Sequence, residues 1–208
     1  LLTTAVAGLA LFVLVTVHVA TDSALSGYDP AVTARAVALR HPWLTPLVWL
    51  VTHLGGTVGL TALSLLVAAA LAVAGRRFQA GVLLAAMAGS AALTVVLKLV
   101  FGRQRPSVDL LLGVPSSSFS FPSGHSFNTT VFVGALAGIV LLSEASRRRK
   151  TAAVLTAAAA ALLMGLSRIY LAYHWLTDVL AGWSLGVAWL SLVTLLVLWV
   201  RRPRRAQE

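Results

Sequence analysis

Three short polar stretches break a chain that is otherwise apolar: Lys98 with Arg105-Pro106, the run Pro122-Ser123-Gly124-His125, and Ser167-Arg168 followed by His174 and Asp178. Their residue types suit the handling of a phosphate. His174 and Asp178 are four residues apart, a spacing that puts both on one face of a helix. A carboxylate bonded to one imidazole nitrogen fixes the tautomer and raises the basicity of the other, which makes a nucleophile or a base. A purely structural pair would have the same spacing. Arg168 adds a planar fork that fits phosphate oxygens. Ser123, Gly124 and His125 lead into an apolar run and are expected at a helix N-terminus, where free N–H groups and the positive end of the dipole attract anions. An ordinary capped turn reads the same way. Lys98 and Arg105 lie seven residues apart and would project from one helix face if the helix runs that far, as phosphate ligands or as interfacial anchors.

The remaining residues narrow the chemistry. Metal-assisted phosphoryl transfer usually draws on several carboxylates. Beyond Asp178, the acids Asp22, Asp29 and Asp109 show no ligand-like clustering, so neither metal nor cofactor is expected. The chain's own cations would then neutralise the anion. There is no cysteine, no Walker-type loop and no Asp-x-Asp run, which leaves histidine as the nucleophile candidate.

The elements that must position these residues are read from hydropathy. The hydrophobic fraction is 59% and the charged fraction 11%, and mean hydropathy is +0.90. A soluble domain carries about 25% charged residues, so lipid is the expected solvent. Six apolar segments, at 2–20, 57–75, 80–101, 125–143, 151–169 and 178–200, approach the length that spans a bilayer. Backbone groups in lipid must be satisfied within each segment, and none alternates as a barrel strand would. The fold class is therefore an all-α membrane bundle of six spans, a single domain over 1–208 with no linker or repeat. Residues 1–21 are expected to be a retained anchor, because the apolar stretch outruns a signal h-region and lacks a basic flank. Asp29-Pro30 opens a short interfacial helix before Arg40. Residues 43–54 extend the second span, broken from it by Gly55-Gly56.

A formal charge of +10 raises the question of nucleic acid, but the basic residues cluster at the ends of apolar runs. Arg76-Arg77, Arg147 to Lys150, and Arg201-Arg202 with Arg204-Arg205 hold ten of the sixteen, following the second, fourth and sixth spans. The positive-inside tendency makes that side cytoplasmic. All three polar stretches then face the other side, the periplasm or cell exterior.

KLVFGRQRP (98–106), PSGH (122–125) and SRIYLAYHWLTD (167–178) resemble the three signature motifs of the type 2 phosphatidic acid phosphatase superfamily, K-x6-R-P, P-S-G-H and S-R-x5-H-x3-D. Every defining position is filled, in order and spacing, over 98–178. The resemblance implies a metal-independent lipid phosphatase. His174 would attack phosphorus to form a phosphohistidine, oriented by Asp178. His125 would protonate the leaving oxygen and then activate water. Lys98, Arg105, Ser123, Gly124 and Arg168 would hold the phosphoryl oxygens, with Arg103 and Ser167 as secondary candidates. The expected partner is a lipid in the bilayer of a bacterium: a polyprenyl diphosphate of the undecaprenyl type, favoured slightly because an outward site suits carrier recycling, or phosphatidic acid or phosphatidylglycerol phosphate. A lipid-binding or transport protein without turnover is the alternative. The sequence carries no signal for an oligomeric state.

Three smaller expectations follow. Leu110, Leu111, Leu112, Phe119 and Phe121 in the 107–121 loop would either guide a lipid chain or pack on the bundle. Tyr170, Tyr173, Trp175 and Trp183 have the look of interfacial aromatics. His18, His41 and His53 have no partner at an informative spacing and are expected to be structural or solvent-facing.

Overall fold

Residues 1–201 are described in a computed structural model, and every regular element among them is helical. The long helices are α1 (Leu2–Ala20), α5 (Thr57–Val73), α6 (Arg77–Phe101), α7 (Gly124–Leu141), α8 (Arg147–Tyr170) and α9 (Leu176–Val200). Between α1 and α5 lie α2 (Ala24–Gly27), α3 (Asp29–Ala38) and α4 (Leu44–Leu54). Five helices are long and apolar enough to cross a bilayer; α4 and α5 meet that test only together, bent by 57°. The expected spans agree with these helices to within four residues at each end. Arg202, Arg204 and Arg205 lie outside the described residues.

The bend has a local cause. Gly56 is extended at ψ 167° as the N-cap of α5, and Gly55 is pressed against Met164 of α8 and Thr129 of α7, leaving no room for a Cβ. The chain therefore turns where glycine lets α7 and α8 approach closely, and α4 is laid across the end of α8. Residues 43–54 are thus a tilted extension, as expected.

Without an aqueous drive to bury apolar surface, close packing of small residues holds such bundles together. Helix α9 is the hub. A Cβ on Gly8 of α1 would lie 2.9 Å from the Ala188 nitrogen, and one on Gly182 would lie 2.8 Å from the Ser123 carbonyl of the α7 cap. Phe12, Phe121, Phe127, Val131, Ala181 and Leu185 fill the space between α1, α7 and α9. Phe121 stacks on Phe12 with centroids 6.1 Å apart and meets Phe101 edge-on at 5.0 Å. It anchors the chain immediately before Pro122-Ser123-Gly124. Ser123 N–H then donates to the Asp178 carbonyl at 3.0 Å, tying the start of α7 to the start of α9.

The two ends of the bundle differ. Arg201 lies over the Phe78 ring at 4.1 Å, so the end of α9 and the start of α6 share one end, where the basic clusters gather. The polar stretches occupy the other.

Candidate active site

His174 sits in the turn between α8 and α9, 2% exposed. Its Nδ1 is 3.2 Å from Asp178 Oδ2. The pairing arises by a different route from the shared helix face expected. His174 precedes α9, whose N-cap is Trp175, and Asp178 Oδ2 also accepts the Trp175 N–H at 2.9 Å. The carboxylate caps the helix and by doing so meets the imidazole. Ser120 Oγ donates to the same Oδ2, while Arg103 binds Oδ1 at 2.6 Å. Both oxygens of Asp178 are thereby engaged.

The tautomer follows from the neighbours. Arg105 Nη1 is 3.4 Å from His174 Nε2, and a guanidinium can only donate, so Nε2 accepts and the proton resides on Nδ1 toward Asp178. Burial first, then the charges of Arg105, Lys98 and Arg168, push His174 well below the ordinary imidazole range. The ring is neutral near pH 7, with the Nε2 lone pair turned to the cavity.

That cavity has a volume of about 800 Å³ and is lined at its polar end by Lys98, Arg105, Gly124, His125, Arg168 and His174. Arg105 is not on α6. Gly102, at φ +56°, ends that helix in the left-handed region, so Arg105 arrives from a loop, held by the Ser118 carbonyl at 2.8 Å and the Tyr173 carbonyl at 2.6 Å. Lys98 donates to the Phe119 carbonyl. Arg168 donates to Thr52 Oγ1 at 2.5 Å and stacks 4.1 Å over the Tyr173 ring. Its buried Nε has no protein partner among the described residues. None of these three cations has a carboxylate partner there either, because the ion pairs run Arg103–Asp29, Arg103–Asp178 and His174–Asp178.

Ser123 stands apart from the cavity lining. It is fully buried, and its Oγ accepts the Ser126 N–H and hydroxyl as the cap of α7. The Gly124 and His125 N–H groups, first in the helix, make no backbone hydrogen bond among the described residues. Ser167 also turns inward, donating to the Met164 carbonyl at 2.6 Å.

Behind His174 lies a network the sequence did not reveal. Arg103 forks between Asp178 and Asp29, bonding Asp29 Oδ2 at 2.8 Å, and Asp29 Oδ1 accepts the Thr177 N–H at 2.9 Å. Asp29, read as a helix-starting acid, is 2% exposed and locks α3 to the start of α9. Thr52 and Ser120 carried no signal; each matters only through a partner far along the chain.

Other expectations resolve as follows. Leu111 and Leu112 pack on Tyr170, Leu171, Tyr173 and α4, so the loop leucines belong to the bundle. Tyr170 is buried and receives the His41 N–H, Tyr173 donates to the Val114 carbonyl, and Trp183 donates to the Ala161 carbonyl. The polar atoms of these three aromatics are thus spent on bonds within the bundle. His18 bonds Ser23. His53 bonds the Trp49 carbonyl and stands at the cavity rim.

A bundle that gathers two imidazoles and three cations at one end of its spans is a recognisable class, and comparison identifies it. Residues 79–202 match the PAP2 superfamily, and the chain belongs to that family. It is 34% identical over 188 residues to phosphatidylglycerophosphatase B of Bacillus subtilis, covering 88% of this chain and 90% of the relative. It is 31% identical to an undecaprenyl-diphosphatase of Sulfolobus acidocaldarius over 103 residues, 48% of this chain and 45% of that one. The crystal structure of a transmembrane PAP2-type phosphatidylglycerolphosphate phosphatase from Bacillus subtilis superposes with a TM-score of 0.85 at 30% identity, covering 95% of this chain and 99% of the other.

Proposed function

We propose that this protein hydrolyses the phosphate of a membrane lipid, without a metal, through a phosphohistidine. The observation that carries this reading is the cavity. Two imidazoles and three cations without carboxylate partners among the described residues line one end, while Leu65, Leu84, Ala88 and Val95 line a flank between α5 and α6. A phosphate fits the first and a hydrocarbon chain the second.

His174 Nε2 attacks phosphorus, forming an N–P bond as the P–O bond to the lipid breaks. Asp178 compensates the positive charge that grows on the ring. His125, which takes up a proton once the phosphate dianion lies beside it, gives that proton to the departing oxygen. The neutral His125 then removes a proton from water, whose oxygen attacks phosphorus and returns His174 to its starting form. Lys98, Arg105, Arg168 and the Gly124 and His125 N–H groups hold the non-bridging oxygens, where charge spreads in the transition state. Ser123 contributes as the cap that aims those N–H groups. The gathering of basic residues at the far end supports an active site facing away from the cytoplasm.

The substrate is a lipid phosphomonoester or diphosphate. Of two relatives matched along most of the chain, the one covering 88% of it is named for a glycerophospholipid phosphate, and the other, a decaprenylphosphoryl-5-phosphoribose phosphatase of Mycolicibacterium smegmatis, is 35% identical over 80% of it, so the glycerolipid phosphate stands beside the polyprenyl diphosphate favoured by topology alone. The test is release of inorganic phosphate from phosphatidic acid and from a prenyl diphosphate by purified protein in excess chelator. Turnover is expected to persist; loss that returns with added magnesium rejects the metal-free step, and no release under any condition rejects the enzyme in favour of a binding protein.

A pH prediction follows from His174. Protonation removes the attacking lone pair, so activity falls as pH drops through its pKa, which lies below the usual value of about 6.5. Among the neighbouring charges Arg105 lowers it most, so Arg105→Ala is expected to move the acid limb of kcat/KM to higher pH while reducing its plateau. The substrate's own ionisation is common to both proteins. Superimposable acid limbs would reject this account of the His174 environment.

A further inference from the structure

Beyond the cations a polar strip runs down the otherwise apolar cavity wall. From the level of His125 downward, α5 presents Thr57, Thr61 and Ser64, spaced to share one face, and α7 presents Asn128 one turn past Gly124. Ser64 is 4% exposed. Its Oγ and the Asn128 Oδ1 are buried with no hydrogen-bond partner among the described residues. That is unlike the other serines of the bundle. Ser184 and Ser191 satisfy their hydroxyls on carbonyls one turn back, at 2.9 and 2.8 Å. Dry polar atoms are costly unless something else pairs with them.

Their depth suggests what does. Gly56 abuts His125: a Cβ there would lie 3.5 Å from Nε2. At a helical rise of about 1.5 Å per residue, Ser64 lies roughly 12 Å below Gly56 and Asn128 roughly 6 Å below Gly124. In a glycerolipid phosphate this interval holds the glycerol oxygens and ester linkages. In a polyprenyl phosphate it holds hydrocarbon, which would exclude water and leave both groups unpaired.

We infer that Ser64 and Asn128 are specificity-determining residues that hydrogen-bond the oxygen-bearing glycerol linker of a glycerolipid phosphate. The Ser64 hydroxyl and the Asn128 amide donate to linker oxygens, and Asn128 Oδ1 accepts from a hydroxyl where the head group has one. The assignment rests on the phosphatase reading and selects among its substrates.

The test compares two phosphomonoesters, phosphatidic acid and farnesyl phosphate, with the full chain in mixed micelles. The quantity read is the ratio of their kcat/KM values, which does not depend on how much of a variant folds. Ser64→Ala and Asn128→Leu are each expected to lower the ratio, phosphatidic acid over farnesyl phosphate, about tenfold, the size of one lost hydrogen bond. An unchanged ratio in both variants, with phosphate still released, overturns the linker assignment alone. No release from either lipid by the unsubstituted protein overturns the phosphatase reading and this assignment together.

Discussion

Replacing His174 by alanine is expected to lower phosphate release by roughly 10⁴-fold or more, the scale seen when a covalent nucleophile is removed. Of the two ring nitrogens, Nδ1 is committed to Asp178 and Nε2 faces the cavity. The other imidazole beside Lys98, Arg105 and Arg168 is that of His125, which sits at the mouth of α7. The two histidines should separate in a trapping experiment. Brief exposure to a ³²P-labelled lipid phosphate, followed by alkaline quench, should label the unsubstituted protein with an acid-labile, base-stable phosphate. His174→Ala should give no label. His125→Ala should form label slowly and lose it slowly, because the same group would serve departure and hydrolysis. Labelling of His174→Ala would reject it as nucleophile.

Arg103→Ala is expected to be the most destabilising single change outside the cavity. Among the described residues Arg103 alone bridges Asp29 and Asp178, at 2.8 and 2.6 Å, and both carboxylates are buried. Removing the cation leaves two buried charges without compensation, a loss of about 3–5 kcal/mol for such a pair. The effect should reach the chemistry, since Asp178 would no longer be held on His174. Arg103→Lys keeps the charge but cannot fork to two acids, so it should recover only part. Adding Asp29→Asn to Arg103→Ala should regain stability by removing one stranded charge, without restoring turnover. Thermal unfolding in detergent, measured beside phosphate release, checks both parts. An unchanged midpoint for Arg103→Ala would show that the fork contributes nothing.

The network also explains the limits of reading the chain by itself. Lys98, Arg105, the Ser123 to His125 run, Arg168, His174 and Asp178 stood out because cations and imidazoles are conspicuous beside apolar runs, and because their spacing is a property of neighbouring residues. Asp29 stood out only as a helix start. Its bond to Thr177 spans 148 positions of chain, and that from Arg168 to Thr52 spans 116. No periodicity encodes such partners.

What the linear chain determined was the set of spans, the break at Gly55-Gly56 and the roster of groups able to handle phosphate. Apolar length, helix-breaking glycine and charge position act over one or two turns and need no partner to be read. The tertiary structure decided how those groups meet. It brings Arg105 in by a loop because Gly102 ends α6, pairs His174 with Asp178 through a helix cap, and places Ser123 as a cap rather than a cavity wall. It also turns the tyrosines inward and gives the substrate groove its polar lining. Each of these depends on which helices press together, and that is set by the fit of small residues at Gly8, Gly182 and Gly55 against neighbours distant in sequence.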